Sequence, residues 1–545
     1  MSSLERRAVT ATQEVDPTGV DAAPRLTVRP TPPRPDREPR VWGRRRAVAL
    51  PHAAWVGLVL VVGLTARLWQ LDAVGFNSDE AVYAGQAASI AGDTQSLQFF
   101  PIFRAHPLLV HTTMSVVFSV FGVSDVAARL TAVAFGLANV AVAYLLGREL
   151  YGRGCGLLAG LLVAVMPYHV IVSRQVLLDG PQSCLVALSI WALARFIRRR
   201  TEPWLYAAAV FLGLSVLAKE TSVIMAGSAF AFFALYPAVS LGLRRRTTAV
   251  AIFVSVVAIY PLTLRLAHAG KTGGAFLTYQ LFRRPNHTLD FYPSVVPPAL
   301  GWGVLVAALF SIVLVWRRVT WRETLLWSWI VVPVVFFELF PVKGYQYLLP
   351  VATPVAVLAA RSLLGWPTWA ARTGRAAPRW APTVVVGLVV ASAVLPTAQQ
   401  LATTQRDTAL AGTGGLPGGR ELGAWINEEV PQGVTMMTIG PSMANIVKWY
   451  GHRNAQGLSV SPNPLYRNPV YDPIANPDLA IRRNRVQYLV WDSFSAARSS
   501  FFSDSLLRYV DRYSGREVYR QEVDGTDAAG RAVRRPVIIV YEVHP

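Results

Sequence analysis

Apolar runs of about 20 residues recur along most of this chain, and each is long enough to cross a lipid bilayer. Charged residues make up only 15% of its 545 residues, well below the roughly 25% of an average soluble domain. The chain is therefore predicted to be a polytopic α-helical membrane protein rather than a single soluble core. About eleven spans are predicted, at residues 49–69, 129–149, 154–172, 181–197, 203–218, 221–241, 248–266, 297–316, 323–341, 345–363 and 380–398. The apolar segment 107–122 is shorter and is predicted to be an interfacial or re-entrant helix.

The basic residues indicate how these spans are oriented. Cytoplasmic loops of membrane proteins are enriched in Lys and Arg, and with a cytoplasmic N-terminus all five predicted inside loops of this chain are Arg-rich. The net charge of +20 therefore reflects membrane topology and does not indicate nucleic-acid binding. The inside loops carry Arg148 and Arg153, then Arg195 with Arg198–Arg200, then Arg244–Arg246, then Arg317, Arg318 and Arg322, and finally Arg372, Arg375 and Arg379.

Composition divides the chain into three parts. Residues 1–46 are rich in Arg and Pro without apolar periodicity, which predicts a disordered basic cytoplasmic tail. Residues 47–398 hold the spans and a long outer loop at 70–128. Residues 399–545 alternate strand-like segments with helix-like ones, which predicts an extracytoplasmic α/β domain. The strand-like segments are 434–439, 487–492, 517–522 and 536–542, and the helix-like segments are 420–429, 442–450 and 502–513. No Gly-rich phosphate loop follows its first strand, and both cysteines lie in apolar runs, so neither nucleotide binding nor a disulfide framework is predicted.

The outer loop opens with two adjacent carboxylates, Asp79 and Glu80. One interpretation is that they stabilise the first turn of a helix through its dipole. The other is that one of them is a general base at the membrane surface. The topology favours the second, because it brings further chemically capable residues to the same side of the membrane. These are Tyr83, His106, Arg129, Arg174, Asp179, Lys219, Glu220, Lys343 and Tyr345.

Lysine is rare here: only four of the 52 basic residues are Lys, and three of these four lie at the predicted outer face of the membrane. A compact ammonium binds phosphate as a point charge, whereas Arg offers a planar fork. A carboxylate with scattered cations at a lipid boundary therefore favours a lipid-phosphate donor. Snorkelling of Lys219 and Lys343, and a simple ion pair between Arg174 and Asp179, remain the alternatives. No cluster has the spacing of metal ligands, so no metal cofactor is predicted.

In this order the motifs resemble the GT-C glycosyltransferases. The resemblance rests on the Asp-Glu pair with Tyr83, on Phe-Gly-Val-Ser-Asp-Val-Ala-Ala-Arg-Leu at 121–130, on Ser-Arg-Gln-Val-Leu-Leu-Asp at 173–179 and on Tyr-Leu-Leu-Pro at 347–350. It covers roughly residues 50–360 and is similar to the polyprenyl-phosphate-dependent branch, which includes the protein O-mannosyltransferases (glycosyltransferase family 39) and the lipid A aminoarabinose transferase. It implies inverting transfer of a sugar from a polyprenyl phosphate to an acceptor hydroxyl outside the cytoplasmic membrane.

The resemblance also implies roles for individual residues. Asp79 is expected to be the base and Glu80 to assist or orient it, while Arg174 and Asp179 shape the pocket. Lys343 is expected to face the donor phosphate, and Lys219 is a weaker candidate for the same role. The sugar is not specified, and the acceptor is a glycan, a lipid or a protein hydroxyl.

The chain departs from the family pattern at three points. The family often has Lys-Pro-Pro-Leu where residues 105–108 are Ala-His-Pro-Leu, and His106 replaces the cation only partly because its charge depends on pH. The β-trefoil insert of the protein O-mannosyltransferases is not evident. Some members of the family use a divalent metal, for which this chain shows no ligand cluster.

Two other classes of function compete with a transferase. A transporter or flippase of a lipid-linked or sugar substrate would place ionisable residues near mid-membrane and often shows inverted repeats. A non-catalytic membrane scaffold with a sensory outer domain would not need an acid, an Arg and a Lys at successive span ends. The charges here cluster at one face and no repeat is visible, so the transferase is favoured.

Overall fold

The computed structural model describes residues 51–102, 106–268, 270–315, 319–374, 378–402, 416–526 and 531–545. The predicted tail at 1–46 lies outside these residues, as do Arg317, Arg318 and Arg375 of the predicted inner loops.

Residues 52–402 are almost entirely helical, as apolar runs without strand alternation require. Two short 3₁₀ turns, Glu220–Val223 and Tyr345–Val351, interrupt the helices on the side of the candidate site. The helices are α1 (His52–Leu68), α2 (Ser78–Ile90), α3 (Thr94–Phe99), α4 (Leu109–Phe121), α5 (Asp125–Tyr151), α6 (Arg153–Val165), α7 (Pro167–Val172), α8 (Asp179–Arg199), α9 (Glu202–Ala218), α10 (Ile224–Leu235), α11 (Leu243–Val257), α12 (Ile259–Leu266), α13 (Gly270–Phe282), α14 (Phe291–Leu300), α15 (Trp302–Val315), α16 (Trp321–Leu339), α17 (Ala352–Arg372) and α18 (Ala381–Ala402).

Within the described ranges, five helical segments are long and apolar enough to cross a bilayer: α5, α8, α11 with α12, α17 with its preceding 3₁₀ turn, and α18. A sixth results if α14 and α15, bent by 99° at their junction, form one span. Shorter apolar helices, among them α1, α4, α6 and α9, accompany them. The prediction of a polytopic helical membrane protein is confirmed. The number of eleven spans and the interfacial or re-entrant placement of 107–122 stay predictions.

Small residues let the central helices pack closely. A Cβ on Gly156 of α6 would lie 2.6 Å from the carbonyl oxygen of Tyr144 in α5, so only glycine fits at this crossing. Lipid supplies no hydrophobic drive between helices, and such close backbone approach is one way in which membrane helices associate. The pair fixes the long α5, whose two ends carry Asp125 and Arg148.

The outer loop is an ordered substructure. Asn77 caps α2: its side chain accepts hydrogen bonds from the backbone N–H groups of Asp79 and Glu80, and Glu80 accepts one from the N–H of Asn77. This reciprocal capping box fixes where α2 begins. It thereby fixes the two carboxylates in the first turn.

The C-terminal residues form the predicted α/β domain. Its sheet has the order β2-β1-β3-β5-β4, in which β1 pairs parallel with β2 and β3, and β5 pairs antiparallel with β3 and β4. The predicted strands and long helices are all present, whereas β2, α21 and α22 were not predicted. The elements are α19 (Gly419–Glu429), β1 (Thr435–Thr438), α20 (Pro441–Tyr450), β2 (Asn454–Gly457), α21 (Pro477–Arg482), β3 (Val486–Asp492), α22 (Ser493–Arg498), α23 (Ser500–Arg512), β4 (Arg516–Thr526) and β5 (Ala532–Glu542).

Helices cover both faces of this sheet. The α19 and α20 face shares one hydrophobic core with α2 of the outer loop. The other face is covered by α21 and α23 in a separate small core. The outer domain therefore packs directly against the helix that carries Asp79.

Candidate active site

Asp79 and Tyr83 lie one turn apart on α2 and therefore on one face of it. Asp79 is exposed, and its carboxylate accepts no hydrogen bond from any described residue. Tyr83 is partly buried, and its ring lies edge-on to the rings of His106 and His111, with centroids 5.7 and 5.5 Å away. Among the predicted residues, Asp79 is thus the carboxylate that is free to meet a substrate.

Glu80 is the opposite case, although it is the next residue. It is fully buried and accepts both Nε and Nη2 of Arg129 at 2.9 Å. It also accepts the backbone N–H of Val176 at 3.1 Å. Glu80 is therefore committed inside the protein, in agreement with an orienting rather than a reacting group.

Arg129 binds the backbone at the start of the outer loop. Its Nη1 donates to the carbonyl oxygens of Leu71 and Val74, and its Nη2 donates to that of Gly75 as well as to Glu80. With Nε on Glu80, every N–H of the guanidinium is used. Arg129 was predicted to bind substrate, but the structure leaves no N–H of its guanidinium free to donate to a substrate. Arg129 instead fixes the position of the outer loop.

Asp179 and Lys219 form a buried ion pair, with Lys219 Nζ 2.7 Å from Asp179 Oδ1. The same ammonium lies 4.4 Å from the centroid of the Tyr347 ring. These residues come from the start of α8, the end of α9 and the 3₁₀ turn before α17, so three distant segments meet at one point.

His106 and Glu220 form a second pair, with His106 Nδ1 2.9 Å from Glu220 Oε2 and both side chains about one-fifth exposed. His106 also lies edge-on to Phe276 of α13, with ring centroids 5.2 Å apart. Because Tyr83 contacts His106, this pair adjoins the face of α2 that carries Asp79.

Electrostatics confirms that these groups converge on Tyr83. Its burial raises the pKa of Tyr83 well above the ordinary value, and the negative charges of Asp79, Asp179 and Glu220 raise it further. Tyr83 is therefore a neutral hydrogen-bond donor in the middle of three carboxylates. The predicted residues that the fold brings together are thus Asp79, Tyr83, His106, Asp179 and Lys219.

Three other predicted residues lie around this group with different partners. Arg174 donates through Nη2 to the carbonyl oxygen of Trp69. Lys343 is buried, and its ammonium binds the carbonyl oxygens of Phe337 and Glu338 at the end of α16. This is the favourable place for a cation at a helix C-terminus.

Tyr345 packs edge-on against Tyr168, with ring centroids 5.0 Å apart, and its carbonyl accepts the Tyr168 hydroxyl. The tyrosine that reaches Lys219 is instead Tyr347. A 3₁₀ turn has three residues per turn, so residues two apart point in different directions. The sequence motif alone does not show which of the two tyrosines, Tyr345 or Tyr347, approaches Lys219.

Arg283 was missed by the sequence analysis. It follows α13, is partly buried, contacts the Tyr279 ring at 5.6 Å and has no carboxylate partner in the described parts of the chain. Its positive charge acts on Tyr347, as do the charges of Lys219, Asp179 and Asp79. Arg283 is thus an unpaired cation beside the group, in a loop where no motif marked it.

The outer domain is fastened to the loop that carries Asp79 by two carboxylates, Asp72 and Asp125, which both pair with Arg420. Asp125, at the start of α5, accepts Arg420 Nε at 2.9 Å, Trp449 Nε1 at 3.1 Å and the Tyr450 hydroxyl. The Tyr450 hydroxyl in turn accepts the backbone N–H of Phe76 at 2.7 Å. Asn445 Nδ2 donates to the Ser78 hydroxyl at 3.0 Å, directly beside Asp79.

The described residues contain no group of three or more His, Cys, Asp or Glu that could hold a metal ion. The acids nearest Asp79 are already engaged, since Asp179 pairs with Lys219 and Glu220 with His106. The side chains present therefore do not fit a resident divalent metal, and the sequence-based prediction of no metal cofactor stays a prediction.

Comparison with known proteins identifies the fold. A protein-family model described as dolichyl-phosphate-mannose-protein mannosyltransferase matches residues 105–264. ArnT from Cupriavidus metallidurans in the apo state superposes with a TM-score of 0.63 at 15% identity, covering 90% of this chain and 98% of that one. The same protein bound to undecaprenyl phosphate gives 0.62 at 13% identity, with 90% and 97% covered.

The apo oligosaccharyltransferase of Archaeoglobus fulgidus gives a TM-score of 0.58 at 13% identity, covering 89% of this chain and 74% of that one. No curated protein sequence matches the chain significantly. The protein therefore has the GT-C fold. The family match and this fold together support the class that the motifs predicted, a membrane glycosyltransferase dependent on a polyprenyl phosphate.

Proposed function

We propose that this protein transfers a sugar from a polyprenyl-phosphate donor to an acceptor hydroxyl, with inversion, and that Asp79 is the base. The observation that carries the proposal is the contrast between two neighbouring carboxylates. Glu80 is buried and its carboxylate accepts three hydrogen bonds from Arg129 and Val176. Asp79 is exposed, its carboxylate accepts no hydrogen bond from a described residue, and its charge acts on Tyr83 and Asp179.

The chemistry needs few groups. Asp79 takes the proton of the acceptor hydroxyl as its oxygen attacks the anomeric carbon of the donor. The new glycosidic bond forms while the bond between that carbon and the phosphate oxygen breaks, and polyprenyl phosphate leaves with the electron pair. Because the leaving group is a phosphate, positioning, one base and a cation for the developing charge suffice.

The donor class is supported by the neighbours of the fold and by the cations on this chain. The ArnT structure with undecaprenyl phosphate bound shares this fold. Here Lys219 is paired with Asp179, so Arg283 is the cation in this group that is left for a phosphate. We assign the charge stabilisation to Arg283, with Lys219 and Asp179 as a pair that positions Tyr347.

The location follows from the Arg-rich loops. We propose the cytoplasmic membrane, with the N-terminus inside and the α/β domain outside. The candidate site and the α/β domain lie on the same side, since Asn445 contacts Ser78. The acceptor then meets the lipid-linked donor outside the cell.

The test is sugar release from radiolabelled polyprenyl-phosphate mannose, glucose or arabinose by purified protein in lipid. Donor consumption with release of polyprenyl phosphate supports the transferase and names the sugar. Movement of an intact donor across the bilayer, without cleavage, would establish a flippase instead. Absence of both donor binding and donor cleavage would leave the scaffold as the better interpretation.

Arg283→Gln is expected to raise the KM for the polyprenyl-phosphate donor by about tenfold or more, because an ion-assisted hydrogen bond to phosphate is lost. The KM for the acceptor is expected to change little. The measurement is initial rate against donor concentration. The matched control is Arg265→Gln, an exposed Arg at the end of α12. Equal effects of the two substitutions would show that only general surface charge matters.

A further inference from the structure

The outer domain contains a topological switch point that the proposed reaction does not yet use. β1 lies between β2 and β3, and all three strands are parallel. The chain leaves β1 through α20 on one face of the sheet and leaves β2 through α21 on the other face. In open α/β sheets, ligands bind outside the carboxyl ends of the strands at such a point.

The loops that follow the three strands meet there. A Cβ on Gly440, after β1, would lie 3.4 Å from Ser459 Oγ, after β2, and 3.5 Å from Ser495 Oγ, after β3. Thr438 is in register with Val490, which places Asp492 beside Gly440. We call this place the edge crevice and define it by Gly440, Ser459, Asp492 and Ser495.

Asp492 has an acceptor oxygen without a donor. Its side chain is 1% exposed, and its Oδ1 accepts the backbone N–H of Ser495 at 2.7 Å. Its Oδ2 is buried with no hydrogen-bond partner among the described residues. A buried acceptor without a donor costs free energy, and such groups in native proteins call for an explanation. Burial raises the pKa of Asp492 to about 6, which leaves the carboxylate mostly ionised at neutral pH.

Asn445 of α20, which contacts Ser78 of the outer loop, also has a buried polar atom without a partner among the described residues. Its side chain is fully buried, and Nδ2 donates to the Ser78 hydroxyl and to the Tyr471 hydroxyl, both at 3.0 Å. Its amide oxygen has no partner in the described structure. Because a hydroxyl can both donate and accept, either orientation of this amide leaves one of its two polar atoms without a partner in the described part of the chain. Asn445 lies on the helix that begins just after Gly440, and its amide contacts Ser78, the residue before Asp79.

The loop after β2, residues 458–476, contacts Asn445. Its Tyr471 meets Asn445, and the ring of its exposed Tyr466 lies 5.3 Å from the guanidinium of Arg284 in the loop after α13. On the other side of the crevice, the charge of Arg498 in α22 acts on His287. The outer domain therefore meets the membrane domain on both sides of the crevice, near the loop that bears Arg283.

We propose that the edge crevice binds the acceptor, and that the acceptor is a neutral carbohydrate chain; this rests on the proposed transferase function. The unpartnered polar atoms of Asp492 and Asn445 need hydrogen-bond partners, and the hydroxyl groups of a sugar can both donate and accept. Tyr466 and Tyr471 offer flat apolar faces with polar tips for the sugar rings. An anionic acceptor is disfavoured because the Asp492 carboxylate, which lies in the crevice, would repel it.

Asp492→Asn tests this directly. Asn keeps the oxygen that caps α22 at Ser495, but it replaces the acceptor Oδ2 by an N–H donor. The acceptor KM is expected to rise about tenfold or more, since a hydrogen bond to a charged group is lost. The donor KM is expected to stay within about twofold. Asp504→Asn, an exposed Asp on α23 on the far face, is the matched control and is expected to behave as wild type.

The assay uses full-length protein in lipid with the labelled donor and three kinds of acceptor: mannotriose and an arabinofuranose trisaccharide, a Ser/Thr-containing peptide, and a phosphorylated glycolipid. Binding of the two trisaccharides is measured in parallel by saturation-transfer NMR for wild type and Asp492→Asn. Transfer to a trisaccharide, with weaker binding and a higher KM in the variant, supports the proposal.

Transfer only to the peptide or to the phosphorylated glycolipid would overturn the proposed acceptor class. A wild-type acceptor KM in Asp492→Asn, or trisaccharide binding that the variant does not weaken, would overturn the site. Failure of wild-type protein to cleave any donor would instead contradict the proposed function, and donor cleavage is measured separately in each reaction. Thermal unfolding of each variant shows whether the fold is intact.

Discussion

Asp79→Asn is expected to lower the rate of sugar transfer by about 10²–10⁴-fold, the range that a general base contributes. Asn has nearly the same shape as Asp but cannot take the proton of an acceptor hydroxyl. The substitution is expected to leave the fold intact, because Asp79 is exposed and its carboxylate has no hydrogen-bond donor in the described structure. The loss of a first-turn carboxylate costs only about 0.3–1 kcal/mol.

The control lies in the same outer loop. Asp93 caps α3 by accepting the backbone N–H of Ser96, and Asn caps helices as well as Asp does. Asp93→Asn is therefore expected to keep wild-type turnover. Turnover with labelled donor and thermal unfolding are measured for both variants. Near-normal turnover of Asp79→Asn would remove Asp79 from the role of base.

Arg129→Met is expected to destabilise the protein by about 3–5 kcal/mol, the cost of removing one partner of a buried ion pair. Met fills much of the volume but donates nothing. Glu80 would remain buried without its cation, and the carbonyl oxygens of Leu71, Val74 and Gly75 would lose their donor. Denaturant unfolding in detergent micelles measures the change. Protease cleavage within 71–80 is expected to become faster.

Two further variants distinguish the loss of the Arg129 contacts from the general effect of removing a charged side chain. Arg148→Met removes an exposed Arg at the opposite end of the same helix and is expected to change stability by no more than about 0.5 kcal/mol. Glu80→Gln keeps a capping-box residue, and its loss of stability is expected to lie between those of Arg129→Met and Arg148→Met. An unfolding midpoint of Arg129→Met equal to that of wild type would show that the outer loop does not depend on this residue.

Much of the architecture was predictable because its causes are local. Apolar length alone indicates membrane helices, and alternation with charge indicates the α/β domain, whose predicted strand at 487–492 is observed at Val486–Asp492. The four-residue β2, Asn-Ala-Gln-Gly, was missed because it has neither length nor β-branched residues. It pairs with β1 as a consequence of the crossover and not of its own propensity.

The candidate site was predictable only in part. The predicted topology placed Asp79, Tyr83, His106, Asp179 and Lys219 on one side of the membrane, and in the structure they lie in one group. A predicted topology assigns a residue to one side of the membrane but does not identify the residue with which it pairs. Arg283 was therefore overlooked, since an Arg between spans looks alike whether or not a carboxylate pairs with it.

The sequence by itself determined the membrane class and the family resemblance, because hydropathy and short motifs are properties of neighbouring residues. The outer placement of the acidic loop stays a prediction from the distribution of charge. Only the tertiary structure decided which carboxylate is free. Glu80 is sequestered by Arg129, 49 residues away, and the loop is clamped by Asp125 to Tyr450, 325 residues away. Pairing over such distances depends on how the helices pack. The adjacent residues Asp79 and Glu80 of α2 acquire different roles because successive side chains of a helix point about 100° apart, so that one reaches Arg129 and the other faces outward.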